Sequence, residues 1–376
     1  MKVLYDHQIF TEHRYGGVSR YFCELLRSFA VDRQVTSELA LVYSDNEHLK
    51  ALRTVGGGRF SFASGFLGGR DFRGKARLFG WLNQANSLKR LRQGDYDLFH
   101  PTYYDDYFLS ALGNKPFVLT VHDLIHELYP EYFAPHHPLA ARKRRLIEQA
   151  RRIIAISEQT KKDLVRVLNV APDKVTVVHL ASSLGGGRVA VGPAISRRVP
   201  PKYLLYVGNR QAYKNYELLV RAIRPLLLAD PDLLLVCAGP AFTQQEERLL
   251  VELGLHGRVR GFYIDSDVTL AYLYQNALAF VFPSLYEGFG LPVLEAFSCG
   301  CPVVLSNASS LPEVAGEAAE YFEPKSGADL LKAVTAVIGD QAKRAALVAK
   351  GYERLKKFSW DKTAAQTKEV YREALA

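Results

Sequence analysis

The chain has 376 residues, 48% of them apolar and 23% charged, with a net charge of +9. That length makes two to three domains at roughly 150 residues each, and the composition is globular, which excludes disorder, collagen and a simple coiled coil. No apolar run approaches the roughly 20 residues that span a bilayer. Four cysteines build no disulfide framework, and Cys299-Gly300-Cys301 reads as buried packing rather than zinc ligation. The opening Met1-Lys2-Val3-Leu4-Tyr5-Asp6-His7 lacks the apolar core of a signal peptide. A reduced, cytosolic protein is expected.

In chain order, short apolar runs alternate with helical stretches, the pattern of parallel sheets covered by helices on both faces. Strands are expected at 2–5, 98–100, 117–121, 153–156, 175–179, 203–207, 233–238, 279–282, 302–305 and 320–322. Helices are expected at 19–29, 139–150, 158–168, 216–229, 244–253 and 268–275, with Ser157 and Asn215 as N-caps. Periodicity breaks over 181–201, where Gly185-Gly186-Gly187, Pro193 and Pro200-Pro201 mark a linker. The first domain is therefore drawn as 1–182 and the second as 183–360, with a last helix, about 361–376, as a candidate to pack back on the first.

Up to residue 195 there are 27 Lys and Arg against 19 Asp and Glu, or +8; beyond it 21 stand against 20, or +1. The basic excess clusters at Arg142-Lys143-Arg144-Arg145, Arg151-Arg152 and Lys161-Lys162, and along Arg70, Arg73, Lys75, Arg77, Lys89, Arg90 and Arg92. A solvated face and contact with an anionic membrane or acceptor both fit this charge. Nucleic acid does not, because no recognition motif accompanies it.

In doubly wound sheets ligands bind beyond the carboxyl ends of strands, so the polar residues after each expected strand matter most. After 279–282 comes Ser284-Leu285-Tyr286-Glu287-Gly288-Phe289-Gly290-Leu291-Pro292, opening a helix that carries Glu295. The glycines permit close backbone approach, Pro292 suits a first helical turn, and the helix start is an anion site suited to a diphosphate. Glu287 can accept from hydroxyls and Glu295 can reach a ribose. After 203–207 come Gly208, Arg210 and Lys214, two cations able to neutralise a departing phosphate. After 117–121 comes His122, with Asp123 placed to orient its ring. Gly16-Gly17 opens the first long helix. Asp105-Asp106 and Asp265-Ser266-Asp267 read as loop and cap residues, so no metal is expected.

Together these four loops resemble the retaining family 4 glycosyltransferases of GT-B fold, over nearly the whole chain. The most specific element is the pair of glutamates with seven residues between them, Glu287 and Glu295. The resemblance implies an α/β fold of two Rossmann-like doubly wound domains facing each other across a cleft. It also implies that Glu287 contacts donor-sugar hydroxyls and Glu295 the ribose. The turn Gly288, Phe289, Gly290 and Leu291 would bind sugar or phosphate through its amides. Arg210 and Lys214 would hold the diphosphate, with Gly16, Gly17 and Gly208 nearby; His122 would contact the donor sugar, and Tyr263 would cap the nucleobase. More narrowly, Gly17-Val18-Ser19-Arg20-Tyr21-Phe22, His100-Pro101-Thr102-Tyr103-Tyr104 and Thr120-Val121-His122-Asp123-Leu124-Ile125-His126-Glu127 look like bacterial enzymes of lipopolysaccharide O-antigen and capsule synthesis. The implied reaction is transfer from a nucleotide sugar, GDP-mannose favoured over a UDP-sugar, to a growing glycan or lipid-linked acceptor. It needs no cofactor or metal and takes place in the cytoplasm or at the inner membrane face. The alternative is a nucleotide-sugar-binding partner subunit without turnover.

Overall fold

A computed structural model describes residues 1–12, 14–55, 62–64, 74–135, 137–185 and 187–376, and among these residues twelve short strands pair in parallel. Arg70, Arg73 and Gly186, named above, lie outside the described residues. Two units form: Met1–Leu128 with Phe133–Leu180 and Trp360–Ala376, and Tyr129–Tyr132 with Ala181–Ser359.

The N-terminal unit carries β1 (Lys2–Tyr5), β2 (Thr36–Leu39), β3 (Leu98–His100), β4 (Val118–Val121), β5 (Arg152–Ala155) and β6 (Val175–Val177). They pair as β2-β1-β3 and β4-β5-β6. A bridge between Phe99 and Phe117, with the Phe99 amide donating to Pro116 O at 3.1 Å, joins the two groups. β1, β3, β4 and β5 are apolar and buried because helices cover both faces, as parallel sheets require. The last helix, Trp360–Leu375, belongs to this unit. Its Tyr371 hydroxyl lies 2.9 Å from the Tyr5 hydroxyl and 2.7 Å from His100 Nδ1, while His100 Nε2 lies 2.9 Å from Thr120 Oγ1. Thr363 Oγ1 donates to His179 O at 2.7 Å, and Lys368 pairs with Asp32 at 2.7 Å.

The C-terminal unit carries β7 (Tyr203–Val207), β8 (Leu234–Ala238), β9 (Val259–Phe262), β10 (Ala279–Phe282), β11 (Val303–Ser306) and β12 (Glu320–Phe322). They form one six-stranded sheet in the order β9-β8-β7-β10-β11-β12, which is the 3-2-1-4-5-6 order of a dinucleotide-binding Rossmann sheet. Leu204, Tyr206, Leu235, Cys237 and Val281 pack against Leu219, Val220 and Ile223 of the helix Tyr216–Ala229 and Val334 of the helix Gly327–Gly339.

Two strands were not expected from the sequence, β2 and β9. Both lie at a sheet edge, where one face meets water and polar residues such as Arg260 interrupt the apolar run. Ser157 caps its helix as expected, accepting from the Thr160 amide at 3.0 Å. Asn215 does not. It sits at φ 58° and its side-chain amide instead donates to Pro283 O at 3.1 Å and Pro324 O at 2.8 Å, tying the helix start to the ends of β10 and β12.

Just beyond β7 and β8 two backbones nearly touch. A Cβ on Gly239 would stand 2.4 Å from Gly208 O. That oxygen is main chain and cannot swing aside, so Gly239→Ala should cost about 1–3 kcal/mol, read as a lower urea midpoint for the C-terminal unit. An unchanged midpoint would show that the two loops yield freely.

Candidate functional site

The strand order of the C-terminal unit reverses between β7 and β10. Crossovers leave these two strands in opposite directions, so a crevice opens between the loops that follow them. Those loops hold Lys214 and Glu287. The Leu285 amide donates to Tyr213 O at 2.8 Å, stitching the loops together, and Lys214 Nζ meets Glu287 Oε1 at 2.7 Å. Both side chains are mostly buried, so little water screens the pair. The ammonium also lies over the Tyr213 and Phe282 rings, 5.2 and 5.5 Å from their centroids.

Glu287 is held from its backbone. Its amide donates to Ser309 Oγ at 3.2 Å, while its carbonyl accepts from Ser309 Oγ and from Ser310 Oγ, the latter at 2.9 Å. Ser310 Oγ also lies 3.0 Å from Phe289 O. Gly290 then takes φ 97° at the start of the helix Leu291–Ser298, and a Cβ there would stand 2.8 Å from Leu311 Cδ2. Only glycine fits both constraints. No side chain caps this helix start, and Pro292 occupies its first turn. The positive end of such a helix favours negative charge nearby. Phe289 is buried, edge-on to Phe358 at 5.8 Å. Glu295 is buried one turn into the helix, where Tyr274 donates to its Oε2 at 3.4 Å.

Arg210, in the same loop as Lys214, is also engaged within the unit. Its guanidinium is buried, with Nε donating to Glu246 Oε1 at 2.8 Å and Nη2 to Pro240 O and Ala241 O at 2.9 and 2.7 Å. The Phe242 ring lies 4.6 Å away. Only Nη1 has no hydrogen-bond partner among the described residues. Glu246 is also the third residue of a capping box with Thr243. Burial would raise its pKa, but Arg210 and the Thr243 amide outweigh that and hold it below the usual carboxylate range. Arg210 thus braces the loop after β7 against the loop after β8, where its charge is already matched. Gly208 bends that loop at φ 127°. Tyr263 follows the edge strand β9, two strands out from β7, and is largely exposed.

In the N-terminal unit His122 ends β4 in an aromatic box: Tyr21, Phe22 and Tyr104 lie edge-on at 5.7, 6.3 and 6.3 Å. Its amide donates to the Tyr104 oxygen at 2.8 Å. Burial lowers the ring pKa to about 4, so the imidazole is neutral. Asp123 does not orient it. That carboxylate accepts from the Ile125 amide at 3.1 Å and faces the buried Lys143 at 3.6 Å. Gly16 starts the helix Gly17–Ala30 with extended backbone, and a Cβ there would meet only Ser19 Oγ at 3.9 Å, so neither strain nor crowding demands glycine.

Asp105 and Asp106 pair with Arg142 and Arg145 at 3.1 and 2.8 Å, and Lys143 pairs with Glu127 at 3.0 Å. Much of the most basic run in the sequence is therefore neutralised within the fold. Ser266 caps a helix through the Thr269 amide, and Asp265 accepts from the Thr269 hydroxyl at 2.6 Å. Among the described residues no group of three or more His, Cys, Asp or Glu side chains could hold a metal. The four cysteines are buried thiols. The sequence reading passes over Gly239, Ser309, Ser310 and Glu246. The first three follow strands β8 and β11 directly, the same signal that marks Lys214 and Glu287; Glu246 gives only a helix-cap signal.

Residues 15–184 match the family described as Glycosyltransferase Family 4, and residues 193–354 match Glycosyl transferases group 1. The O-antigen chain mannosyltransferase B of Escherichia coli is 30% identical over 379 residues, covering 95% of this chain and 96% of its own length. This chain belongs to the GT-B family 4 glycosyltransferases. Two solved structures share its fold. Anabaena Alr3699/HepE, in complex with UDP and glucose, aligns with a TM-score of 0.73 at 17% identity over 99% of each chain. WaaG, a glycosyltransferase involved in lipopolysaccharide biosynthesis, aligns with a TM-score of 0.68 at 15% identity over 98% of each chain.

The buried histidines of this glycosyltransferase contribute to its sensitivity to acid. Burial also lowers His100 to about 3, against an ordinary value of 6.5 for both rings. Below that value the unfolded chain binds protons that the folded unit refuses. Stability is therefore fully present above pH 6.5 and falls as pH drops toward the folded values. Urea midpoints of the N-terminal unit should be lower at about pH 5 than at about pH 7.5, and His122→Gln should narrow the difference. A midpoint independent of pH would contradict the buried neutral rings.

Proposed function

We propose that this glycosyltransferase moves a hexose from a nucleotide sugar, with retention at the anomeric carbon and without a metal, onto a growing glycan or lipid-linked acceptor of bacterial surface polysaccharide. GDP-mannose is the favoured donor and a UDP-sugar the second. The observation that carries the reading is the Lys214–Glu287 pair, set 2.7 Å apart beside an uncapped helix start at the switch point of a Rossmann sheet. The mannosyl and O-antigen parts rest on the 30% identical Escherichia coli relative. The fold's compatibility with a bound nucleotide rests on the Anabaena protein, which holds UDP and glucose.

In this reading the diphosphate lies against the amides of the turn Gly288–Leu291, with the Lys214 ammonium turned to it. Glu287 accepts from sugar hydroxyls and Glu295 from the ribose. Tyr263 caps the base, and Arg210 keeps the diphosphate loop in shape. As the bond from the anomeric carbon to the phosphate oxygen breaks, negative charge grows on that oxygen. Lys214 and the helix end stabilise this charge more than they stabilise the ground state, which is what lowers a barrier. The acceptor hydroxyl forms the new bond on the same face, and its proton passes to the departing phosphate. His122, neutral, offers a hydrogen bond to the sugar rather than a charge. Gly16 and Gly17 leave open backbone beside their helix start.

A thermal-shift panel of GDP, UDP, ADP and CMP sugars tests the donor. One nucleotide class should stabilise the protein, GDP-mannose foremost, and Glu295→Gln should shrink that shift. An equal shift in both proteins would remove Glu295 from the ribose. Lys214→Ala and Glu287→Ala should keep the fold and lower the rate of transfer by roughly 10²–10³-fold, measured by release of nucleoside diphosphate in the presence of acceptor. Full activity in either variant would dismantle the site, and nucleotide binding with no turnover on any donor would favour a binding subunit.

A further inference from the structure

The helix Lys75–Gln93 of the N-terminal unit is polar on the side that faces the fold. Asn83 and Ser87 are fully buried there. Asn83 Oδ1 accepts from the amides of Val42 and Tyr43 at 3.0 Å each, and its Nδ2 donates to Tyr43 O and Thr11 Oγ1 at 2.9 Å. Ser87 Oγ donates to Ala40 O at 3.0 Å. These bonds satisfy the chain just past the edge strand β2, where the sheet no longer supplies partners.

The opposite side is the unusual one. At 3.6 residues per turn, Arg77, Leu78, Trp81, Ala85, Lys89 and Arg92 fall within about 120° of one another, and all six are exposed. Trp81 is 65% exposed and Leu78 45%, one turn apart. The helix carries five basic residues and no carboxylate. Two of the five are spent inside the unit, Lys75 on Asp45 at 3.0 Å and Arg90 on Glu38. The other three, Arg77, Lys89 and Arg92, make no ion pair among the described residues, and they are the three that share the arc with Trp81 and Leu78.

We propose that this face docks on an anionic lipid surface. Indole and leucine side chains flanked by unpaired cations match the two layers of a bilayer interface: the apolar groups enter the acyl boundary and the cations meet headgroup phosphates. A merely solvated helix would turn its Asn and Ser outward and its Trp inward; here the arrangement is reversed. The inference goes beyond the donor chemistry and uses none of its residues. It places membrane contact on this helix rather than on the run Arg142–Arg145, three of whose four charges are already paired.

Flotation with vesicles of phosphatidylglycerol and phosphatidylcholine in equal parts, against vesicles of phosphatidylcholine alone, tests it. The full chain should float with the anionic vesicles only, less so at high salt, with tryptophan emission shifted to the blue. Arg77→Gln, Lys89→Gln and Arg92→Gln should weaken partitioning by roughly fivefold per cation, and Leu78→Ser with Trp81→Ser by roughly tenfold or more. These positions are exposed, so an unchanged melting temperature should accompany each loss. Equal flotation of all variants, or no preference for anionic vesicles, would overturn the proposal. A concentration-dependent dimer dissolved by Trp81→Ser would overturn it too, by assigning the face to a second copy of the chain. The nucleotide thermal shift, run on the same samples, separates the two readings: its persistence without flotation sinks only the docking face, and flotation without it leaves that face standing and counts against the donor site.

Discussion

One ion pair, Lys214 Nζ to Glu287 Oε1, occupies the gap that the strand order of the C-terminal unit opens. A parallel sheet whose crossovers diverge from β7 and β10 leaves two loops with no secondary structure between them. They come together because one amide, Leu285, reaches the Tyr213 carbonyl and because two opposite charges meet out of water. Neighbouring groups hold that meeting in place. Ser309 and Ser310 hold the backbone of Glu287, Asn215 ties the helix after Lys214 to Pro283, and Gly290 lets the chain turn into a helix with an open start. The carboxylate of Glu287 and the rings of Tyr213 and Phe282 hold the ammonium in place.

Arg210 and Lys214 show how one charge type serves two ends. Both follow β7 within seven residues of sequence. Lys214 faces the crevice. Arg210 turns to Glu246 and to two carbonyls, with aromatic rings beside it, and so fixes the distance between the loops after β7 and β8. A planar guanidinium with several donors suits that bracing task better than an ammonium would. The N-terminal unit follows a related economy. Its cations Lys143, Arg142 and Arg145 hold loop carboxylates, and its histidines His100 and His122 are kept neutral by burial. The charge that remains unmatched on the long helix lies on its outward face, beside Trp81.

Much of this was legible before any coordinates. The buried strands announced themselves as unbroken apolar runs, because a strand covered on both faces has no side for polar residues. The spacing of Glu287 and Glu295 pointed to the family. The strands β2 and β9 were not legible, because polar residues break up their short apolar runs. Asn215 as a cap and Asp123 as an orienter of His122 were local inferences overturned at long range. Pro283, Pro324 and Lys143 claim those side chains from distant parts of the chain.

The sequence by itself determined the fold class, the family and the positions of the loops at strand ends, because burial pattern and turn chemistry are written residue by residue. Only the tertiary structure decided which charges meet. Lys214 finds Glu287 across 73 residues, Arg210 finds Glu246 across 36, and Arg142 finds Asp105 across 37. No periodicity encodes such pairings; they follow from which loops the crossovers deliver to the same end of a sheet. The same holds for the helix Lys75–Gln93, whose composition shows five cations but not which of them the rest of the unit consumes.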